Sequence, residues 1–155
     1  MKTKIIISLL SLFFISGAFG DGCEEEEEPK PDYINVTVKT YGNLLLKNNT
    51  TGELDCDSRI NTATLRVDVT KAGGEHINFF LSISETNCFF ETDVATFKLY
   101  REQPIEVMAY SEQVPGGFTQ IRGAEILTWN EVYRWKDFGE TYNWEPHVTA
   151  YWLYN

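Results

Sequence analysis

From residue 33 to the C-terminus, apolar and polar side chains alternate with a period of two. In the first run Ile34, Val36 and Val38 alternate with polar neighbours, and the stretch 64–70 repeats the pattern. This period predicts β-strands that bury one face. Further runs of the same kind occupy residues 77–83, 94–100, 105–110, 118–129, 131–135 and 147–154.

The spacing of these runs favours an all-β fold. No stretch of ten or more residues holds a period of 3.6 with helix caps, and the runs are separated by turn signals at 103–104, 114–117 and 137–139. Seven to nine short strands at this spacing predict an antiparallel β-sandwich, immunoglobulin-like or transthyretin-like. A closed antiparallel β-barrel is the alternative.

One hairpin can be placed in register from the sequence. If Ala72, Gly73 and Gly74 form a three-residue loop, the apolar residues of the two flanking strands face each other on one side of the hairpin. The expected pairs are Val69 with Ile77, Val67 with Phe79, and Leu65 with Leu81. Extending this register places Cys88 opposite Ser58, two residues from Cys56.

The chain contains three cysteines, Cys23, Cys56 and Cys88. The hairpin register brings Cys56 and Cys88 to the same end, so we expect a disulfide between them; two free buried thiols are the alternative. Closing a loop of about 33 residues would stabilise the fold by roughly 3 to 4 kcal/mol. Cys23 is then the odd cysteine, which needs another fate in an exported protein.

The first 22 residues are typical of a secretory signal peptide. Lys2 and Lys4 precede an apolar stretch, 5–19, that is too short to span a bilayer. We therefore expect a signal peptide at 1–22, a flexible acidic tether at 23–32 and one β-sandwich domain at 33–155. Cleavage after Gly20, which would release a soluble secreted protein beginning at Asp21, is the alternative.

The junction between signal and tether consists of Gly22 and Cys23, followed by five glutamates at 24–28. It resembles the export signal of surface lipoproteins of the Bacteroidota. The resemblance covers about ten residues. It implies that Cys23 is lipidated and becomes the mature N-terminus, and that the protein is displayed at the outer membrane surface. The membrane contact would then be the lipid anchor alone.

Charge argues against nucleic acid as a partner. The body from residue 33 carries 10 basic and 16 acidic side chains, a net charge of −6, and the glutamate run adds five more acids. Nucleic-acid binding needs a basic surface that displaces counterions from phosphates. We expect no such partner.

The chain offers little that predicts catalysis. His76 and His147 stand outside any metal-ligand or nucleophile motif, so we expect no enzyme and no cofactor. Asp55, Asp57 and Asn61 form an oxygen-rich loop of the kind that can hold calcium. The loop lacks a full calcium-binding pattern, and a hydrophilic turn beside the disulfide is the favoured interpretation.

Aromatic residues give the strongest functional hint in the body. All four tryptophans fall in the last 27 residues, within a stretch that is also rich in tyrosine. Rings left exposed at a sandwich edge could stack on sugar rings or anchor a protein partner, whereas packing into the core is the alternative. The candidate contacts are Trp135, Tyr142, Trp144 and Tyr151, with Tyr142 and Trp144 expected in a loop at 139–146.

Together these observations predict a noncatalytic binding or adhesion module, exported and anchored at the cell surface, with glycan or protein as its partner. A structural or accessory protein of the cell envelope, without a soluble ligand, is the alternative.

Overall fold

The strands of the computed structural model are arranged as two layers around one core. The structure describes residues 32–83, 87–133 and 140–155, without the side chains of residues 61 and 62. The predicted signal peptide and Cys23 lie outside these ranges. The described elements are β1 (Tyr33–Val38), β2 (Tyr41–Asn48), β3 (Leu54–Asp55), a 3-10 helix (Ser58–Thr62), β4 (Thr64–Lys71), β5 (His76–Ser82), β6 (Phe89–Glu91), β7 (Ala95–Tyr100), β8 (Ile105–Ser111), β9 (Thr119–Ile121), β10 (Gly123–Leu127), α1 (Trp129–Tyr133), β11 (Tyr142–Trp144) and β12 (His147–Tyr154).

The first layer is a long bent sheet built around β1 and β2. Strand β1 lies between β11 and β7, and β2 lies between β12 on one side and β3 and β6 on the other, with β9 beyond β12. Hydrogen bonding continues across the bend, since the Lys39 amide donates to the Trp144 carbonyl and the Tyr41 amide to the Pro146 carbonyl, both at 3.0 Å.

The second layer is the four-stranded antiparallel sheet β10-β8-β4-β5. Its inward residues and those of the first layer form one hydrophobic core. The layers meet closely at Gly123 of β10, where an added Cβ would lie 2.7 Å from the Thr149 carbonyl oxygen of β12. Over the described residues these sheets keep free edges, so the all-β sandwich is confirmed and the closed barrel is wrong.

Two details of the predicted sandwich need correction. The strand count is twelve in the described ranges rather than seven to nine, because bends such as those at 39–40 and 145–146 divide longer strands. The sheets are also not purely antiparallel. Strands β1 and β11 pair parallel, as do β2 and β12, so the end of the domain runs alongside its beginning.

The hairpin prediction is confirmed. Strands β4 and β5 pair with Val69 opposite Ile77, Val67 opposite Phe79 and Leu65 opposite Leu81. Gly73 and Gly74 both adopt positive φ in the connecting loop, a conformation that glycine reaches without steric cost.

The Cys56–Cys88 disulfide is also confirmed, with Cα atoms 5.6 Å apart. The expected position of Cys88 opposite Ser58 is wrong, because β5 ends at Ser82 and Cys88 instead leads into β6. The Cys88 carbonyl accepts a hydrogen bond from the Leu44 amide at 3.0 Å. The disulfide therefore fastens the edge of the first layer beside β2. Such a bond forms in oxidising compartments, which agrees with an exported protein.

Three predicted local structures differ from the observed ones. The run at 118–129 is two strands separated by Arg122, and the segment 139–146 contains β11 rather than a loop throughout. The run at 131–135 was expected to be a strand, but residues 129–133 form α1. Thr128 begins this helix, and its amide and hydroxyl both donate to the Glu131 carboxylate, at 2.6 and 2.8 Å. Threonine followed three residues later by glutamate is a capping box, which favours a helix over a strand.

Candidate ligand-binding surface

The aromatic residues proposed as ligand contacts do not lie on one surface. Tyr142 and Trp144 occupy β11 opposite Val36 and Val38 of β1, and both rings pack half-buried against the core. Their expected exposure in a loop is wrong, because strand pairing turns alternate residues inward. Trp135 lies outside the described residues. Tyr151 is the candidate that β12 places on an outer face.

Two further tryptophans serve the core. Trp152 is 1% exposed and its ring centroid lies 5.8 Å from that of Phe118. Trp129 is 6% exposed and stacks on Tyr133 at 5.7 Å. The alternation along β12 confirms that Trp152 and Tyr151 point to opposite sides of the sheet.

The outer side of β2, β12 and β9 forms a surface that we call the Tyr151 face. Its central row is Leu45, Tyr151 and Ile121, which are direct neighbours across three strands. These side chains alternate with buried ones on the same strands, so the rigid sheet fixes their positions. The face comprises Tyr41, Asn43, Leu45, Lys47, Thr119, Ile121, His147, Thr149, Tyr151 and Leu153.

The central row is apolar and flanked by hydrogen-bonding groups; it is exposed at Ile121 and half-buried at Leu45 and Tyr151. Ile121 is 42% exposed, and the Tyr151 ring is half-buried. The Lys47 ammonium lies 5.5 Å from the centre of the Tyr151 ring. The next row of the face pairs Asn43 with Thr149. The Asn43 amide donates to the Asn87 carbonyl at 3.2 Å, so it is the Asn43 side-chain oxygen that could accept from a ligand. A flat ring with a cation over it and polar side chains beside it matches the mixed apolar and polar surface of a sugar.

A second aromatic cluster lies at the other end of the same face. Tyr41 stacks with Phe89 at a centroid distance of 6.2 Å, and Lys39 lies 5.0 Å from the Tyr41 ring. The side-chain interaction with Tyr41, followed by attraction from Glu91, raises the pKa of Lys39. Since Tyr41 and Leu45 are four residues apart on one strand, the two clusters are separated by about 13 Å.

Pairing between cations and rings runs through the whole described domain. All eight lysines and arginines of the described ranges lie 4.1 to 5.8 Å from the centre of an aromatic ring. The eight are Lys39, Lys47, Arg59, Arg66, Lys71, Lys98, Arg101 and Arg122. Such pairs are usually found about once per 70 to 80 residues. In the described part of the chain, positively charged side chains therefore lie close to aromatic rings throughout the surface.

The outer side of the second layer has a different character, and we call it the Arg66 face. The Arg66 guanidinium lies between Phe80 and Tyr110, 5.6 and 5.8 Å from their ring centres. Asp68 accepts hydrogen bonds from Arg66 at 2.7 Å and from the Tyr110 hydroxyl at 2.8 Å. Burial, then the bond to Asp68, raises the pKa of Tyr110. The polar groups of this face satisfy one another, so it reads as a structural network.

The weak calcium candidate is explained by local hydrogen bonding. Asp57 caps the 3-10 helix by accepting from the Arg59 amide at 2.8 Å, and both its carboxylate oxygens bind the Arg59 guanidinium. These bonds to Arg59 lower the pKa of Asp57 to about 2. Asp55 is exposed in β3, and the side chain of Asn61 lies outside the described structure. Within the described ranges no three His, Cys, Asp or Glu residues converge to hold a metal ion.

An open polar groove lies where the domain begins. It is lined by Asp32, the β4–β5 loop and residues 100–103. Lys71 is largely covered there, paired with Glu75 and 5.3 Å from the Tyr100 ring. Because Lys71 is already engaged by Glu75 and Tyr100, the groove does not offer it as a free cation for a ligand.

Comparisons with known proteins give little further constraint. No family model and no curated protein matches the chain. Among solved structures, a C-terminal fragment of the pilus adhesin SpaC from Lactobacillus rhamnosus GG is similar at 13% identity with a TM-score of 0.28, over 82% of this chain and 47% of that fragment. Among the described residues no helix is long and apolar enough to cross a membrane.

Proposed function

We propose that this chain is an exported lipoprotein, anchored at the cell surface through Cys23, and that its sandwich is a noncatalytic module that binds glycans. The observation that carries the binding proposal is the apolar row of Leu45, Tyr151 and Ile121, held in register across three strands, half-buried at its first two members and exposed at Ile121. Contiguous apolar surface exposed on a soluble domain is a recognised sign of an interaction site.

The chemistry of the Tyr151 face fits a sugar ring. One side of a pyranose presents C–H groups that can pack against the Tyr151 ring beside Lys47, which lies over it. The sugar hydroxyls could then reach Lys47, Thr149 and the side-chain oxygen of Asn43. Because these residues stand on paired strands, little conformational entropy would be lost on binding. The 13 Å between the Tyr41 and Tyr151 clusters would favour a glycan of several units over a monosaccharide.

The disulfide and the cysteine count support the anchoring part of the proposal. Cys56 and Cys88 are joined, so Cys23 is the remaining thiol of an exported chain. Acylation would consume that thiol. The five glutamates that follow would hold the domain away from anionic headgroups by charge repulsion.

Binding can be tested with a glycan array probed by the exported protein and its Tyr151→Ala variant. We expect the variant to lose at least about tenfold in affinity, equivalent to about 1.4 kcal/mol. The matched control is Tyr33→Ala, which removes another tyrosine covered by a lysine, with Lys98 4.1 Å from the ring. Both variants should keep the melting temperature of the parent within a few degrees.

Three results would count against the binding proposal. They are no glycan bound by the parent protein, equal loss in both variants, and binding indifferent to Tyr151→Ala. The first would favour a structural or accessory envelope protein.

Anchoring can be tested by the mass of the mature N-terminus. A diacylglycerol and a fatty acyl group on Cys23 are expected, together with release of a Cys23→Ser variant into the soluble fraction. A free amine at Asp21 would instead show a soluble secreted protein.

A further inference from the structure

Strand β5 forms an open edge of the second layer. It pairs with β4 on one side, and no other described strand pairs with its opposite side. The inward residues of β4, Leu65, Val67 and Val69, are 0% exposed. Their partners on β5, Ile77, Phe79 and Leu81, pack against the core from the sheet edge but are only half-buried, so this apolar row keeps some exposure to solvent.

This edge lacks the usual protection against strand pairing. Natural sheets guard their edges with lysine, proline, bulges or very short strands. Strand β5 is seven residues long and contains no Lys, Arg, Asp, Glu, Pro or Gly. Among the other edge strands described, β3, β9 and β11 have two or three residues, β10 contains Gly123 and Glu125, and β7 contains Lys98.

The hairpin shows which backbone groups point outward. The Lys71 amide donates to the Glu75 carbonyl at 2.8 Å, so this pair is hydrogen-bonded. Hydrogen-bonded pairs alternate along an antiparallel ladder. Ile77, Phe79 and Leu81 therefore bond to β4, and the backbone groups of the residues between them, Asn78 and Phe80 above all, face away from it.

We propose that this edge pairs antiparallel with the β5 strand of a second copy of the chain, about a two-fold axis through Phe79. In that register Asn78 faces Phe80 of the copy, and their outward backbone groups can bond reciprocally. Ile77 faces Leu81 of the copy, and Phe79 faces its own equivalent. The half-buried apolar row is thereby covered further by the same row of the partner.

A second copy fits this edge better than a charged peptide does. Strand β5 has no formal charge, so a charged peptide would find no opposite charge on it. The net charge of the body, −6, repels a second copy elsewhere on the surface but not along this strand. The two-fold register needs each residue to suit its opposite number, and apolar faces apolar at three of the seven positions while polar or aromatic groups meet at the rest. This edge belongs to the second layer and the Tyr151 face to the first, so pairing at β5 does not depend on glycan binding.

The association can be measured by sedimentation velocity over a range of concentrations. The full chain carrying Cys23→Ser is used, so that neither a lipid anchor nor a stray intermolecular disulfide contributes. We expect a reversible monomer and dimer equilibrium. A double variant, Asn78→Lys with Phe80→Lys, sets lysine opposite lysine at two places and should raise the dissociation constant at least about tenfold.

The matched control places the same two charges on the other edge of the same sheet. Ala124 and Ile126 of β10 are exposed on the same outer side, so Ala124→Lys with Ile126→Lys adds equal charge away from β5. This variant should dimerise like the parent. A carboxylate version, Asn78→Asp with Phe80→Asp, should also fail to self-associate, but should restore a mixed dimer with the lysine version.

A monomeric parent at all concentrations overturns the proposal. So does a dimer that survives the β5 lysines, or one that both lysine pairs weaken equally. If the parent is monomeric but binds an unrelated extended peptide at β5, the edge serves another partner and the second-copy proposal is wrong. Recovery of the mixed dimer excludes unfolding as the cause of lost association.

Discussion

The outer faces of the two layers are built by opposite means. On the Arg66 face, charged and aromatic groups bind one another, with Asp68 accepting from both Arg66 and Tyr110. On the Tyr151 face, the central row is apolar and its one close cation, Lys47, lies over a ring. A polar network that satisfies itself leaves little for a ligand, whereas an uncovered apolar row gains by being covered. The Arg66 face is therefore structural, and the Tyr151 face is the one for which we propose ligand binding.

The difference extends to the backbone beneath each face. Gly42 lies in the middle of the first layer, where an added Cβ would sit 1.8 Å from the Val148 carbonyl oxygen and 2.6 Å from the Phe90 ring. Gly123 of the second layer would meet the Thr149 carbonyl oxygen at 2.7 Å, but it stands on an edge strand that can shift. The backbone beneath the Tyr151 face is therefore the more tightly packed of the two.

The largest effect is expected from Gly42→Ala. The methyl group has no space between paired backbones, so the loss in unfolding free energy should exceed the roughly 1 to 3 kcal/mol usual for overpacking and also exceed the loss caused by removing the disulfide. Urea unfolding of Gly42→Ala, Gly123→Ala and Gly116→Ala should rank in that order. Gly116 is the control, because its added Cβ would meet nothing within 4 Å. If the Gly42 variant were as stable as the Gly116 variant, the backbone around Gly42 would not be too tightly packed for a methyl group.

Removing the disulfide should have the next largest effect. Cys56→Ser with Cys88→Ser is expected to lower the unfolding free energy by about 3 to 4 kcal/mol, because the unfolded chain regains the entropy of an open loop. Hydrogen exchange should quicken more in β2 and β6, beside Cys88, than in β4 and β8. If hydrogen exchange became faster by the same factor in both layers, the disulfide would not be stabilising the edge of the first layer locally.

A smaller loss is expected on the Arg66 face from Tyr110→Phe. Removing a partly buried hydroxyl that donates to Asp68 should cost about 0.5 to 1 kcal/mol in unfolding free energy, while Arg66 still satisfies the carboxylate. Glycan binding should not change. Tyr33→Phe, at a ring 38% exposed, serves as the control. Altered glycan binding in the Tyr110 variant would contradict the proposal that glycans bind to the Tyr151 face and not to the Arg66 face.

The smallest effect is a pH dependence at Asp57, on the connection between the layers. Its pKa is lowered from an ordinary 3.8 to about 2 by Arg59, so the charged carboxylate stabilises the folded state above about pH 4. That contribution disappears as pH falls through about 2. Thermal melts of the parent and Asp57→Asn should therefore differ at pH 7 and converge near pH 2. A gap that persists at pH 2 would assign the effect to packing instead of charge.

Much of the fold could be predicted because it depends on residues that are close together in the sequence. The β4–β5 register follows from seven alternating residues on each side of a glycine loop. The pairing of Cys56 with Cys88 was predicted correctly from their nearness to that hairpin, although Cys88 leaves the β4–β5 register and lies beside β2. The helix α1 could also have been found, since Thr128 and Glu131 form a capping box, but a short apolar run is ambiguous between strand and helix. Strand β2 contains three consecutive leucines, which hides its alternation.

The candidate site was less accessible to prediction. Tyr142, Trp144 and Tyr151 are similar residues in one aromatic stretch, yet β11 turns the first two toward the core while β12 turns the third outward. Which side is the core depends on the layer that packs against it. The partners of Tyr151 in the central row, Leu45 and Ile121, come from segments more than 70 residues apart, and no periodicity reveals such a pairing.

The sequence by itself therefore determined that the chain is all-β, where its one readable hairpin turns and which two cysteines are joined, because each depends on neighbours within a few tens of residues. Tertiary structure alone decided the parallel pairing of the last strand with β2, the direction in which each aromatic ring points, and the open edge at β5. Those features depend on which strand lies beside which, and a period of two is the same for every strand.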